Sequence, residues 1–449
     1  MPSTYLTRTF GSGNRKKFTL SMWVKLSERG TGNNNALLVS GTSGDNEGTI
    51  TFGSDYRLSW TEYKPSSGTV GNLTPSRLFR DFNAWLHLVF AWDSTNATAD
   101  DRMKIWINGV EETNFNSRTN PSLNYDAQLN HNVEHNIGRQ TWNSSGIFNG
   151  LMSHIHFCDG YSYSASDFGE TDSTTGEWKI KTSPSVSYGT TGFWILKDGN
   201  TVTDQSGNSN NFTVGGGTLT KTEDSPSNIF ATLNPLARST TSGNYSNGNL
   251  TFDRPGSTSS WVNTVSTLGA SSGKYYWEYK VIDAGNGANG CVIGFMNIDG
   301  SDFQNRSDDL NQSSNSQNIG WYPGGNLFNQ VSTIDTFNTY TDGDIIQLAM
   351  DLDNSYLYWG KNGTWENSAD PTSGATGTGG KATSLIGTNG QYVFSIAHRE
   401  DGNGQANFGN GYFGTTAVSS AGTNASGNGI FEYDVPTGYT ALSTKGLNL

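Results

Sequence analysis

Carboxylates, histidines and one polar turn are the spacings in this 449-residue chain that could support chemistry. Cleaving a glycosidic bond takes two carboxyls held at a fixed separation across it. The chain has no E-x-D-x-x-E run to place such a pair along one strand. Glu278, in YYWEYKV, stands alone and reads as a hydrogen-bonded carboxylate at a core edge. Asp351 and Asp353, in MDLDN, share a face but fall where the alternation breaks into a turn. His154 and His156 alternate with Ile155 and Phe157, so both rings are expected on one strand face. A metal site would need further ligands, from His131 or His135, and ordinary strand histidines are the simpler reading. Asp204, Ser206, Gly207, Asn208 and Asn210 form a D-x-S-G-N-x-N run. Carboxylate, amide and backbone oxygens in such a turn can converge on Ca²⁺, with Asp204, Asn208 and Asn210 as the ligands. The alternative is an Asx-type turn whose side chains bond their own backbone. No G-x-S-x-G, H-E-x-x-H or phosphate-loop motif is present, so no catalytic residue is assigned.

Surface recognition remains. Trp321 and Tyr322 precede Pro323-Gly324-Gly325, Trp365 follows Asn362-Gly363, and Trp60 and Tyr63 lie in LSWTEYKP. Rings near loop tips can stack on sugars or anchor protein partners; rings that close the end of a fold look the same in sequence.

Charged residues make up only 15% of the chain, and Gly alone fills 56 positions, which on their own would suggest disorder. The 13 Trp, 19 Tyr and 22 Phe argue otherwise: large rings among Gly, Ser, Thr and Asn suit short strands joined by turn-rich loops. A net charge of −13 argues against nucleic-acid binding. The one basic cluster, Asn14 to Lys17, reads as a solvated strand entry. Cys158 and Cys291 lie in separate apolar strands, which points to buried free thiols. The N-terminus lacks a signal-peptide pattern and no window is apolar enough for a membrane span, so a protein made in a reducing compartment is expected, without membrane insertion.

The length implies two or three domains. In the first half, FTLSMWVKL has period two, WLHLVFAWD is apolar on both faces, and KIWINGVEE is a hairpin turned by Asn108-Gly109. HNIGR and FNGLMSHIHFCDGYSYSASDF follow. This order resembles a concanavalin A-like sandwich of the laminin G type over roughly residues 5 to 170. The D-x-S-G-N turn in 192–217, found near the start of such domains, here comes after the other strands. It is expected to complete the sandwich from its far end. DSPSNIFATLNP, 224–235, reads as a connector, giving a first domain over 1–232.

The second half, 233–449, runs through GKYYWEYKV, CVIGFMN, NIGWYPGGNLFN, DGDIIQLAMDLDNSYLYWGKNGTW, YVFSIAHRE and ANFGN. In this order it resembles the SPRY family, also an antiparallel β-sandwich. Two polar segments, 305–318 and 372–384, depart from that pattern and are expected to form loops of the kind that carry specificity. The fold expected is all-β, with two antiparallel jelly-roll-like sandwiches in tandem and no catalytic site. The pairing, together with the Gly/Asn/Thr-rich composition, resembles structural proteins of tailed bacteriophages. That resemblance implies a virion component assembled in the host cytoplasm: a head fibre, tail fibre or surface decoration. Its expected partners are capsid or tail subunits and host-surface polysaccharide, and homo-oligomers are common among such proteins. Two alternatives stay open, a non-viral carbohydrate-binding or adhesion protein and a degenerate glycan hydrolase or depolymerase.

Overall fold

A computed structural model describes residues 4–27, 35–42, 45–197, 201–237, 243–256, 260–285, 290–299, 317–329, 332–388 and 390–448. The chain divides into two compact units, Met1–Lys221 and Thr222–Leu449. Among the described residues the regular elements are β-strands and single turns of 3-10 helix, and no helix is long and apolar enough to cross a membrane.

The first unit is two large antiparallel sheets with a small hairpin of Gly169–Thr171 and Trp178–Ile180. One has six strands in the order Phe193–Ile195, Gly150–Asp159, Lys17–Leu26, Trp85–Asp93, Met103–Ile107, Val110–Glu111. The other has eight: Phe115–Thr119, Gly68–Pro75, Leu58–Lys64, Asp45–Phe52, Asn35–Thr42, Glu134–Ile137, Tyr5–Thr9, Thr213–Gly216. The period-two face of the second strand, Phe18, Leu20, Met22, Val24 and Leu26, is fully inside the core. It meets Leu38, Ile50, Trp60 and Leu73 of the facing sheet. Trp60 packs edge-on to Phe90 at 5.7 Å and tilted to Trp92 at 5.9 Å, contacts worth about 1 kcal/mol each beyond the area they bury.

The segment after residue 170 does complete this sandwich. Phe193–Ile195 pairs with Ile155, His156 and Phe157, and Thr213–Gly216 pairs with the first strand. The division between units falls at 221/222, ahead of the expected 232/233. The connector belongs to the second unit because Ala231 and Leu233 are in that unit's core and Phe230 bridges to Ser443.

The second unit is also built from two main sheets, antiparallel except where Thr440–Ala441 joins one of them parallel to Lys274–Asp283. One carries Lys274–Asp283 between Asn403–Asn407 and Ile345–Asp351; the other centres on Cys291–Asn297 between Tyr392–His398 and Asn318–Trp321. Trp277 is sandwiched between Phe394 at 4.9 Å and Phe408 at 4.8 Å. Leu348 and Met350 face this core, while Ala349 faces outward under a cluster of Phe431, Val435, Tyr439 and Ala441. Both cysteines are buried and free.

The two Asn-Gly hairpins share more than their turn. Asn108 and Asn362 have φ of 48° and 49°, and Gly109 and Gly363 follow at 84° and 86°, the left-handed pair that a tight two-residue hairpin needs. Each asparagine also clasps the neighbouring strand. Asn108 Oδ1 accepts the His87 N–H at 2.8 Å while its own N–H donates to His87 O at 2.9 Å. Asn362 makes the same two bonds with Ile345, at 2.8 and 2.9 Å. Asn362→Gly would keep the permitted φ but leave the half-buried Ile345 N–H without its acceptor. It is expected to cost about 1–2 kcal/mol, measured as a lower urea midpoint of the full chain. An unchanged midpoint would show that the clasp contributes nothing.

Candidate functional site

Glu278, Asp351, Asp204, His135 and His156 are buried, Asp353 and Asn208 are exposed, and the hydrogen bonds of these groups say what they are for. Glu62 alternates with Leu58 and Trp60 on one strand, faces inward and is fully buried. Its carboxylate accepts the backbone N–H groups of Gln128 and Leu129. Burial is the main cause that pushes its pKa up, to about 8. Glu278 accepts four bonds: Tyr276 Oη at 2.9 Å, Tyr433 N at 2.8 Å, Glu432 N at 2.9 Å and Asn407 Nδ2 at 3.2 Å. Burial raises its pKa to about 7. It is the hydrogen-bonded carboxylate that its isolation in sequence suggests. Asp351 caps its turn through Asn354 N at 3.0 Å and pairs with Lys274 at 2.8 Å, and Asp353 accepts Gly273 N at 2.7 Å.

A buried Ser–His pair escaped the sequence reading. Ser21 Oγ lies 2.9 Å from His87 Nε2, and neither is exposed. The pair was detectable: both residues alternate with inward-facing apolar ones on adjacent strands. The polarity is wrong for catalysis. Trp178 Nε1–H donates to His87 Nδ1 at 3.0 Å, which puts the ring proton on Nε2, from where it donates to Ser21. A general base must instead accept the serine proton through a ring nitrogen that is free to take it. Trp23 stacks on the ring at 4.8 Å, and burial holds its pKa down, to about 3. His154 and His156 do not share a face: the strand bulges between Ser153 and His156, and His154 has a φ of 47°. His156 is buried against Trp194 and within 2.9 Å of Tyr188 Oη, whereas His135 stacks on Phe10. No three metal-ligating side chains cluster among the described residues.

The polar turn closes on itself. Asp204 accepts Trp194 N and Ser206 N on one oxygen, and Ser206 Oγ and Asn210 N on the other, all at 2.8–2.9 Å. The Asn208 amide donates to Gly189 O and Gly192 O, and that of Asn210 to Thr190 O and Gly192 O. Asn210 Oδ1 accepts from the Arg8 guanidinium. With the carboxylate filled by donors and a fixed cation beside it, Asp204, Asn208 and Asn210 do not fit Ca²⁺; they form the Asx-type alternative.

The aromatic candidates separate in the same way. Trp60 and Trp321 have no exposed surface: LSWTEYKP is a strand, and Trp321 pairs with Ile293 in register, putting its ring against Tyr340 and Phe337. Tyr322 is buried between Trp261 and Phe328. The register of a buried strand decides which side a ring faces, so these three have no face left for a ligand. Trp365 is half-buried against Tyr276. Tyr63 is half-buried on the outward face of the eight-stranded sheet. The polar loop at 305–318 lies almost wholly outside the described residues.

Residues 3–167 match the family model described as the concanavalin A-like lectin/glucanases superfamily. The match ends before the two strands that complete the sandwich, Phe193–Ile195 and Thr213–Gly216. No curated protein matches the chain in sequence. Solved structures with a similar fold over part of it include the SPRY domain of human HERC1, at 16% identity and TM-score 0.30, covering 39% of this chain and 96% of that one. A human SPRY domain is similar at 13% identity and TM-score 0.25, over 35% and 89% of the two chains. The heptameric SAP-like pentraxin from Limulus polyphemus is similar at 14% and 0.26, over 36% and 72%.

Two predictions follow from the buried groups. Burial raises the pKa of Glu62 and Glu278 in the fold to about 8 and about 7, above the unfolded value, so over this range the folded chain binds more protons at these two groups than the unfolded chain does. Folding therefore takes up protons, and stability falls as pH rises from about 4.5 toward 8. His87, His135 and His398 are held neutral down to about 3, and burial lowers His156 as well. Their contribution is lost as pH falls below about 6.5. Four histidines outweigh two glutamates between those limits, so the melting temperature should peak near about pH 6.5. Glu278→Gln should flatten the alkaline limb whatever it does to the peak; an unchanged slope would contradict the assignment. Calcium at millimolar concentration should leave the melting temperature where a chelator leaves it. A calcium-dependent rise that Asp204→Asn abolishes would restore the metal reading.

Proposed function

We propose that the chain is a non-enzymatic structural and recognition protein of a bacteriophage virion, a head fibre, tail fibre or surface decoration, which binds host-surface glycans or neighbouring virion subunits. The observation that carries recognition is the outward face of the eight-stranded sheet. Thr49, Ser59, Thr61, Asn72, Thr74, Ser117 and Thr119 project from four adjacent strands in register. Their side chains bond one another: Asn72 Nδ2 to Thr61 Oγ1 at 2.9 Å, Thr74 Oγ1 to Ser59 Oγ at 3.2 Å, and Ser59 with Thr61 at 3.3 Å. Strands about 4.8 Å apart make these seven residues an array of hydroxyls and amides, with Tyr63 continuing the row opposite Glu47. Such a face offers hydrogen bonds in both directions at little desolvation cost, which suits a neutral polysaccharide or a polar subunit surface.

The non-enzymatic part rests on the commitment of Glu62, Glu278 and His87 to structural hydrogen bonds. The virion part rests on the tandem resemblance and on the Gly/Asn/Thr-rich composition. A non-viral adhesin would use the same surface, so the discriminating experiment is mass spectrometry of purified particles; absence of the chain from them would sink the virion reading. For recognition, Thr61→Arg should weaken binding to neutral glycans on an array or to virion subunits at least tenfold, and Leu447→Ala, in the second unit, should not. Release of reducing ends from bacterial polysaccharides would instead favour a depolymerase.

A further inference from the structure

At the end of strand Leu58–Lys64 lies a cleft of about 590 Å³, where His131 is the one sequence candidate among the described lining residues. Arg15, Asn46, Lys64, Asn124 and Tyr125 line it, and among the described lining residues Asp126 is the one acid. Two cations line the cleft to one acid on a chain whose net charge is −13, and just outside it Asp45 accepts the Asn46 amide at 2.7 Å.

The walls are fixed before any ligand arrives. Arg15 Nε donates to Ala127 O at 2.6 Å, and its Nη2 reaches Asp126 O and Gln128 Oε1 at 3.3 Å. Ser40 Oγ donates to Gln128 O at 3.1 Å, and Glu62 takes the Gln128 and Leu129 N–H groups from below. Tyr125 packs edge-on to the buried Trp92 at 6.4 Å, so its ring is a set wall. Lys64 is exposed and makes no ion pair among the described residues. A rigid guanidinium, a mobile ammonium, an anchored ring and two amides make a pre-formed polar site, and such a site spends little of its binding energy on ordering.

We propose that this cleft binds the carboxylate of an acidic sugar, with Lys64 and Arg15 supplying the charge, Asn46 and Asn124 meeting hydroxyls, and Tyr125 flanking the ring. One excess positive charge matches a monoanion. This is a second site, separate from the outward face, and it rests on the glycan arm of the recognition reading above.

Calorimetric titration of the full chain with a galacturonate trimer, a hyaluronan tetrasaccharide and sialyllactose, each beside a neutral analogue, tests it. At least one acidic probe should bind tenfold or more tighter than its neutral analogue and weaken severalfold between 50 and 500 mM NaCl, given a screening length that shrinks to a few Å. Lys64→Glu should lose at least tenfold, Lys64→Arg should retain binding, and Thr61→Arg, on the outward face, should have no effect. Equal binding of acidic and neutral probes, indifference to Lys64→Glu, or no binding of any acidic probe would each overturn the proposal. Neutral binding that Thr61→Arg abolishes would leave the glycan reading standing without this site; no glycan binding of any kind would remove both.

Discussion

A carboxylate withdrawn from water costs several kcal/mol unless donors fill its lone pairs, and this fold is organised around meeting that demand with backbone. Glu62 takes the N–H groups of residues 128 and 129, and Glu278 those of 432 and 433. Asp159 takes the N–H groups of Asn14, Thr190 and Thr191 at 2.6–3.2 Å, and Glu366 that of Asn338 at 2.9 Å. In each case the acid is on or beside a strand and the donors belong to a loop distant in sequence. Loops rich in Gly, Asn and Ser, with only single 3-10 turns among the described residues, bond part of their N–H groups internally and leave others to find acceptors elsewhere. A buried acceptor with two oxygens solves the problem for two residues at once and fixes the loop to the sheet.

This use of acids decides where function can be. The six-stranded sheet of the first unit turns Val89 and Cys158 outward, and these are covered by Ala165 and Phe168 with Trp178 and Tyr188 alongside. The long sheet of the second unit turns Tyr276, Ala349 and Tyr358 outward, under Phe431, Val435 and Tyr439. In both units an excursion of the chain's own backbone occupies a surface that could otherwise have met a ligand. The eight-stranded sheet differs over part of its width: the outward Thr49, Ser59, Thr61, Asn72 and Thr74 are small, polar and half-buried, and the rim opens into the cleft beside Lys64, whereas Val39, Thr51 and Asn136 on the same side are buried. The face proposed for recognition is therefore the uncovered part of that sheet.

Strands with one clear apolar face were legible from period two alone, as Phe18 to Leu26 shows, and so were the hairpins, because few dipeptides other than Asn-Gly allow two consecutive positive φ angles. The meander from Asn35 to Pro75 was not. Asn35–Thr42 is buried on both faces for most of its length, which erases the alternation, and Gly68–Pro75 carries two glycines. That omission left Trp60 looking like a loop-tip ring. Trp321 was misplaced for a related reason: Pro323-Gly324-Gly325 correctly marks a turn, but the residue two before it still belongs to the strand and faces the core. The cleft was hidden because its parts come from four segments, Arg15, Asn46, Lys64 and 122–128. Only the register of strands far apart in sequence brings them together.

The paired hairpins show how one local solution recurs in two unrelated settings. Beyond the pairs Leu88–Ile107 and Ile346–Lys361 the ladder has run out, because the chain is already turning. His87 and Ile345 would then lose their partners. A left-handed asparagine restores both bonds, giving its own N–H to the carbonyl and its side-chain oxygen to the amide, so the side chain acts as one more residue of strand. Glycine tolerates the dihedral but has no oxygen to offer, and aspartate would bring a charge. The choice of asparagine is thus set by backbone hydrogen bonding that the turn itself creates. It would arise in any antiparallel sheet where a tight turn stops one residue short of its neighbour, without common ancestry between the two halves.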